Sequence, residues 1–177
     1  MRSNMLENIS QKIKSCNDAL RELQPQVESI DKVKIPLDAD PLSKGLAALN
    51  QKTAMIQESK DLVCGILNKV ILIKNTVEST QVQLNKHISN RKAEIIESNS
   101  EYYLKTLKTK DMRDDAMSKV LRDEASLESM LDRLLIISKS YYDAVKNQLN
   151  NLGSTNDNLK YQLKVIDDMI AIGEITR

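Results

Sequence analysis

The pattern of hydrophobic and polar positions predicts long amphipathic helices over most of the chain. In the middle of the sequence an aliphatic residue recurs every seven positions, a repeat typical of helices that pack as coiled coils. The run comprises Leu42, Leu49, Ile56, Val63, Val70, Val77 and Leu84. A more polar companion row comprises Leu46, Thr53, Lys60, Leu67, Lys74, Gln81, Ile88 and Ile95. We therefore predict one helix from Pro41 to about Leu107.

The N-terminal segment carries its own apolar row, with alternating spacings of three and four residues. That row comprises Leu6, Ile9, Ile13, Cys16, Leu20, Leu23, Val27 and Ile30. Pro25 interrupts it, and a proline inside a helix removes one hydrogen bond and clashes with the preceding turn. We expect this helix to kink or end near residues 23–24. The stretch "KIPLDADP" then predicts a linker, in which Asp40 can cap the next helix and Pro41 fits its first position.

Two further boundaries are predicted in the C-terminal half of the chain. The stretch "KTLKTKD" predicts a connection, with Thr109 as the N-cap of a third helix. The stretch "NLGSTNDN" predicts the end of that helix, because Gly153 suits the position just after a helix C-terminus. A short fourth helix is expected to follow.

These elements predict an all-α fold, a long antiparallel coiled-coil-like helical hairpin with shorter flanking helices. Residues 1–35 are expected to form an N-terminal amphipathic helix and residues 36–41 a linker. Residues 42–177 are expected to form the hairpin body with a short C-terminal helix. Because a two-helix hairpin buries little apolar surface for its length, we expect a homo-oligomer.

Composition narrows the class of protein further. Only 4 Gly and 3 Pro in 177 residues make an all-β fold improbable. Two Cys and one His exclude a Cys/His zinc cluster, and we expect no metal and no cofactor. The first residues lack the apolar core of a signal peptide, and the longest apolar run, residues 70–73, is too short to span a bilayer. We expect a cytoplasmic protein, in the host-cell cytoplasm if it is viral, without membrane contact.

The sequence gives little support to catalysis. His87 is the only histidine and lies in a polar stretch, "QLNKHISN", so we expect it on the surface. The four glycines are isolated, which excludes a Gly-rich phosphate loop. We therefore expect that the protein is not an enzyme.

The stretch "SNSEYYLKTLKTKDMRDD" combines two adjacent tyrosines with a basic run. Binding of single-stranded nucleic acid needs cations for the phosphates and aromatic faces for the bases. The candidate residues are Arg91, Lys92, Tyr102, Tyr103, Lys105, Lys108, Lys110 and Arg113. A second interpretation remains open, in which one tyrosine packs at the bend of the hairpin and the lysines are merely solvated.

The order of features from about Asn90 onward resembles the UvsY-type recombination mediators of tailed phages. The matching residues are Tyr102 and Tyr103, then the Val120-Leu121-Arg122-Asp123 helix start, Tyr141 and Tyr142, and finally residues 166–169. The chain differs from that family in lacking its tryptophans and its Gly-rich turn, and in adding an N-terminal helix.

The resemblance implies a non-catalytic, oligomeric assembly of helical protomers. Such an assembly would bind single-stranded DNA and help to load a recombinase in place of a single-strand-binding protein. The cations among the candidate residues would contact phosphates, and Tyr102 or Tyr103 would stack on bases. The alternative is a coiled-coil structural, assembly or regulatory protein that acts through protein–protein contacts.

Overall fold

The computed structural model describes residues 2–30, 35 and 45–173. Within these residues the chain forms four α-helices and no strand, which confirms the all-α prediction. The helices are α1 (Arg2–Ile30), α2 (Gly45–Ser98), α3 (Lys110–Val120) and α4 (Arg122–Ala171). One π-helical turn, Tyr102–Thr106, connects α2 to α3. The predicted linker and the capping roles of Asp40 and Pro41 lie outside the described residues.

The long helix α1 does not end at its proline. It continues from Arg2 through Pro25 to Ile30. Pro25 is exposed, so its ring projects towards solvent rather than into the packed face. Leu23 and Val27 on either side are buried, so the apolar face of the helix continues past the proline. An end of the helix near residues 23–24, one of the two predicted outcomes, is therefore wrong, and a kink there stays a prediction.

The seven-residue repeat of α2 forms a buried row, as its spacing predicts. Every described member from Leu49 to Leu84 is at most 1% exposed. The polar companion row, which includes Lys74 and Gln81, is half-buried throughout. A second buried row lies three residues after the first; its members are Ile66, Ile73, Thr80 and His87. The packed face of α2 is therefore wider than a two-row seam, as expected for a helix with more than one neighbour.

Helix α2 ends at Ser98, earlier than predicted. Ser98 donates its hydroxyl to the Glu94 carbonyl at 2.6 Å, and the Asn99 side chain donates to the Ile95 carbonyl at 3.3 Å. Such local side-chain bonds compete with the backbone hydrogen bonds of a regular helix. The chain then closes a wider turn, in which the Leu107 amide donates to the Tyr102 carbonyl at 3.0 Å.

The predicted boundaries of the C-terminal half have opposite outcomes. Thr109 caps α3, since its side chain accepts a hydrogen bond from the Met112 amide at 3.3 Å. The second boundary is wrong, because α4 runs without interruption from Arg122 through Gly153 to Ala171. A row of buried apolar residues seven apart continues through this region and includes Leu152 and Leu159 on either side of the glycine.

The chain divides into two compact units. Unit 1 comprises Met1–Arg21 and Ile71–Lys139, and unit 2 comprises Glu22–Val70 and Ser140–Arg177. In unit 2, residues of α2 and α4 share one buried cluster, formed by Leu49, Ile56, Leu159 and Ile166.

In unit 1 the two long helices run antiparallel. Gln81 donates to the Asp132 carboxylate at 2.8 Å, and ten residues further along α2 Arg91 lies 3.5 Å from the Glu124 carboxylate. Residue numbers thus rise on α2 as they fall on α4. Helix α1 joins the same unit, where Lys12 donates to the side chain of Gln83 at 3.1 Å. The expected packing of two long helices against each other is confirmed.

Candidate binding groove beside the tyrosine pair

The two adjacent tyrosines have opposite environments. Tyr103 is 5% exposed and belongs to a buried cluster with Leu107, Met117 and Leu121. Tyr102 is 49% exposed, and its ring meets the Tyr103 ring edge to face, with centroids 5.3 Å apart. One ring is therefore part of the core of unit 1, and the other keeps half of its surface exposed to solvent.

A groove of about 620 Å³ opens beside the buried tyrosine, entirely within unit 1. The volume lies in the range of ligand-binding clefts, about 300–1,000 Å³. Its apolar lining consists of Ile88, Ile96, Tyr103, Leu104, Met117, Leu121 and Ala125. Its charged lining consists of Lys92, Lys110, Arg113, Asp114, Glu124 and Glu128. We call this feature the groove.

The groove brings together half of the residues predicted to bind nucleic acid. Lys92, Tyr103, Lys110 and Arg113 line it, whereas Arg91, Tyr102, Lys105 and Lys108 do not. Carboxylates share the lining with the cations, so the groove does not present a purely basic surface. Between residues 91 and 128, eight Lys and Arg stand beside nine Asp and Glu. Local electrostatic attraction to phosphates is correspondingly reduced.

Both predicted arginines make internal contacts. The Arg113 Nε donates to the Leu107 carbonyl at 2.9 Å, which ties the start of α3 to the end of the π-helical turn. The Arg91 Nε lies 3.5 Å from Glu124 Oε1, and Glu124 is only 3% exposed. A buried carboxylate needs such a partner because desolvation penalises its charge. These arginines therefore stabilise the fold around the groove.

The predicted lysines are more available to solvent. Lys105 donates to the Glu101 carboxylate at 2.9 Å, but both side chains are well exposed, and such pairs contribute little to stability. Lys92, Lys108 and Lys110 are also exposed. Of the cations predicted to contact phosphates, these four lysines retain the exposure that such a role requires.

The only histidine is buried, so the expectation of a surface position is wrong. His87 is 9% exposed and continues the row that contains Ile73 and Thr80. Its Nε2 lies 3.7 Å from Glu124 Oε1, which is too long for a hydrogen bond. Its burial follows from helical phase, because position 87 lies seven residues after the buried Thr80.

Glu124 and Glu128 line the groove, although neither is among the residues predicted from the sequence to bind a ligand. A signal for Glu124 exists in the repeat, because Glu124, Leu131 and Ser138 are seven residues apart and all buried. Arg91 likewise lies seven residues after Leu84 on α2. Arg91 and Glu124 therefore continue the buried rows of two helices that face each other. A pair between them could be predicted from these positions.

The described residues hold no group of three or more His, Cys, Asp or Glu side chains arranged to bind a metal ion. Within the same residues, no helix combines the length and the apolar character that crossing a membrane requires.

Comparison with known proteins gave no match to a family model, to a curated protein or to a solved structure.

Proposed function

We propose that the protein is a non-catalytic helical interaction protein, of the assembly or regulatory class, that binds a partner protein through the groove. The single observation that carries this proposal is an open cleft with an apolar lining beside Tyr103. Exposed apolar surface of this kind marks interaction sites in folded proteins. Ile96 and Leu104 keep 39% and 60% of their surface exposed at the groove, and a partner would cover them.

Site-specific photo-crosslinking in the source cells tests this proposal. A photoreactive amino acid at position 96 should form an adduct with one protein that mass spectrometry can identify. The matched control is position 82, because Val82 is an exposed apolar residue of the same helix that does not line the groove. Equal adducts at both positions, or none at position 96, would contradict the proposal.

Single-stranded DNA is the second candidate ligand, with recombinase loading as the corresponding role. The observation that favours it is the half-exposed Tyr102 ring close in sequence to the exposed Lys105, Lys108 and Lys110. On this proposal, Tyr102 alone supplies the stacking face, since Tyr103 is buried in the core. The partners are then a recombinase or a single-strand-binding protein, and a homo-oligomer multiplies the weak cationic surface of each chain.

A further inference from the structure

We infer that the occupant of the groove is an amphipathic helix of a partner protein, acidic along the flank that meets α2 and basic along the flank that meets α4. The inference rests on the proposed function and specifies its partner. Three features of unit 1 carry it: the free face of α2, the spacing of the lining residues, and the charges on the two walls.

The groove lies on a face of α2 that α1 does not cover. Helix α1 contacts α2 at Gln83, through Lys12. Lys92 lines the groove nine residues later. At about 100° per residue, nine residues correspond to half a turn around the helix axis. The α1 contact and the groove are therefore on opposite sides of α2, and the groove lining, which comes from α2, the π-helical turn, α3, Leu121 and α4, includes no described residue of α1.

The lining residues have the spacing that a helix needs in order to dock. On α2 the groove is lined at positions 88, 92 and 96, which form one ridge of residues four apart. On the other wall it is lined at position 117 of α3, at position 121 between the two helices and at position 125 of α4, again four apart. Ridges of this kind receive the side chains of a packed helix between them. Eight residues of ridge span about 12 Å, or roughly two turns of a docked helix.

The two walls carry opposite charges. Lys92 is exposed on the α2 wall, and Glu128 is half-buried on the α4 wall. Arg113 and Glu124 also line the groove, but they contact the Leu107 carbonyl and Arg91, respectively. Lys110 and Asp114 lie one turn apart on α3 and balance each other in charge. The charges of a docked helix thus complement the groove when the flank that faces α2 is acidic and the flank that faces α4 is basic.

Three designed helical peptides with the same leucine stripe test the inference. One has glutamates on one flank and lysines on the other, the second has glutamates on both flanks, and the third has lysines on both. We expect the mixed peptide to bind the full chain about three- to tenfold more tightly than either of the others, as measured by fluorescence anisotropy. Equal affinities for all three peptides would overturn the inference.

Charge reversal in the protein adds a second readout. Lys92→Glu should shift the preference to the all-lysine peptide, and Glu128→Lys should shift it to the all-glutamate peptide. Lys86→Glu is the matched control, because Lys86 is exposed on α2 but does not line the groove, and it should leave the order of affinities unchanged. Ile96→Glu should abolish binding of all three peptides while leaving the helical circular dichroism intact.

The possible failures are distinguishable. If no peptide binds but position 96 crosslinks to one protein in cells, the proposed function stands and the helical occupant is wrong. If neither occurs, both fail. If Ile96→Glu converts an oligomer into a monomer in analytical ultracentrifugation, the occupant is a second copy of this chain, and the inference is overturned.

Discussion

The tyrosine pair shows how neighbouring residues of one type acquire different roles. Adjacent side chains of a helical turn point in different directions, so the two rings cannot both face the core. Tyr103 packs with Leu107, Met117 and Leu121, whereas half of Tyr102 stays in solvent. The sequence alone could not tell which of the two is buried, because the π-helical turn alters the phase between α2 and this segment.

Truncation of each tyrosine should separate these roles. We expect Tyr103→Ala to lower the free energy of unfolding by about 3–5 kcal/mol, because it removes a large buried ring and leaves a cavity. Tyr102→Ala should lower it by about 1 kcal/mol or less, since that ring is half-exposed. Urea denaturation followed by circular dichroism measures both. Similar losses for the two variants would contradict the assignment of Tyr103 to the core.

The Arg91–Glu124 pair shows that the role of a charged residue cannot be predicted from its residue type alone. A basic residue near other basic residues suggested contact with phosphate, but Arg91 lies beside a buried carboxylate. The position of Arg91, seven residues after the buried Leu84, indicates contact with a neighbouring helix, whereas its residue type does not. Lys108 shows the converse, because it is exposed outside the buried rows and its contact with phosphate stays a prediction.

At the scale of the element, α4 is the clearest departure from the predicted boundaries. The stretch "NLGSTNDN" has the composition of a loop, yet it is helical. The apolar phase is unbroken across it, since Val145, Leu152, Leu159 and Ile166 recur every seven residues and are all buried. Tertiary packing of this row outweighs the low helix propensity of a single glycine, about 1 kcal/mol relative to alanine.

The interior glycines of the long helices offer a direct test of this account. A Cβ built at Gly65 or Gly153 meets no atom within 4 Å. We expect Gly153→Ala and Gly65→Ala each to raise the free energy of unfolding by about 0.5–1 kcal/mol, because alanine loses less backbone entropy in a helix.

Gly173 provides the matched control for these substitutions. Its φ of +78° lies in the left-handed region, where a Cβ is strained, so Gly173→Ala should give no gain. Urea denaturation compares the three variants with the wild type. A loss of stability in Gly153→Ala would contradict a continuous helix at that position.

At the scale of the whole molecule, charge balance decides how DNA binding should be tested. The chain carries 26 Lys and Arg against 25 Asp and Glu, so any DNA affinity must come from local surface. If Lys105, Lys108 and Lys110 contact phosphates, the triple alanine variant should bind a labelled single-stranded oligonucleotide at least about tenfold more weakly at low salt. Fluorescence anisotropy at two salt concentrations measures this.

A matched triple variant controls for a general loss of positive charge. Lys139, Lys160 and Lys164 are exposed lysines far along the sequence from the tyrosine pair, and their replacement by alanine should leave DNA affinity unchanged. Absence of binding by a folded wild type at low salt would exclude the mediator role. Equal weakening by both triple variants would show that the affinity comes from net charge alone.

The fold class was predictable because apolar spacing is a local property that a helix displays directly. The groove could not be predicted in this way, because it forms only where α2, α3 and α4 come together in the folded chain. Their arrangement depends on the π-helical turn that connects α2 to α3. The expectation of a homo-oligomer rested on a two-helix hairpin with an uncovered face, and it stays a prediction. In unit 1, α1 already contacts one side of α2. A second copy of the chain would therefore cover the other side of that helix.

The matched repeats of α2 and α4 also constrain how this chain can change in length. Leu49 and Ile56 on α2 share one buried cluster with Leu159 and Ile166 on α4, and on each helix these positions belong to a row that repeats every seven residues. An insertion or deletion of one residue in either helix rotates every later side chain by about 100° and moves a buried row into solvent. Removal of seven residues from both helices at facing positions leaves the rows aligned. We therefore expect natural length variants of this chain to differ by paired multiples of seven residues.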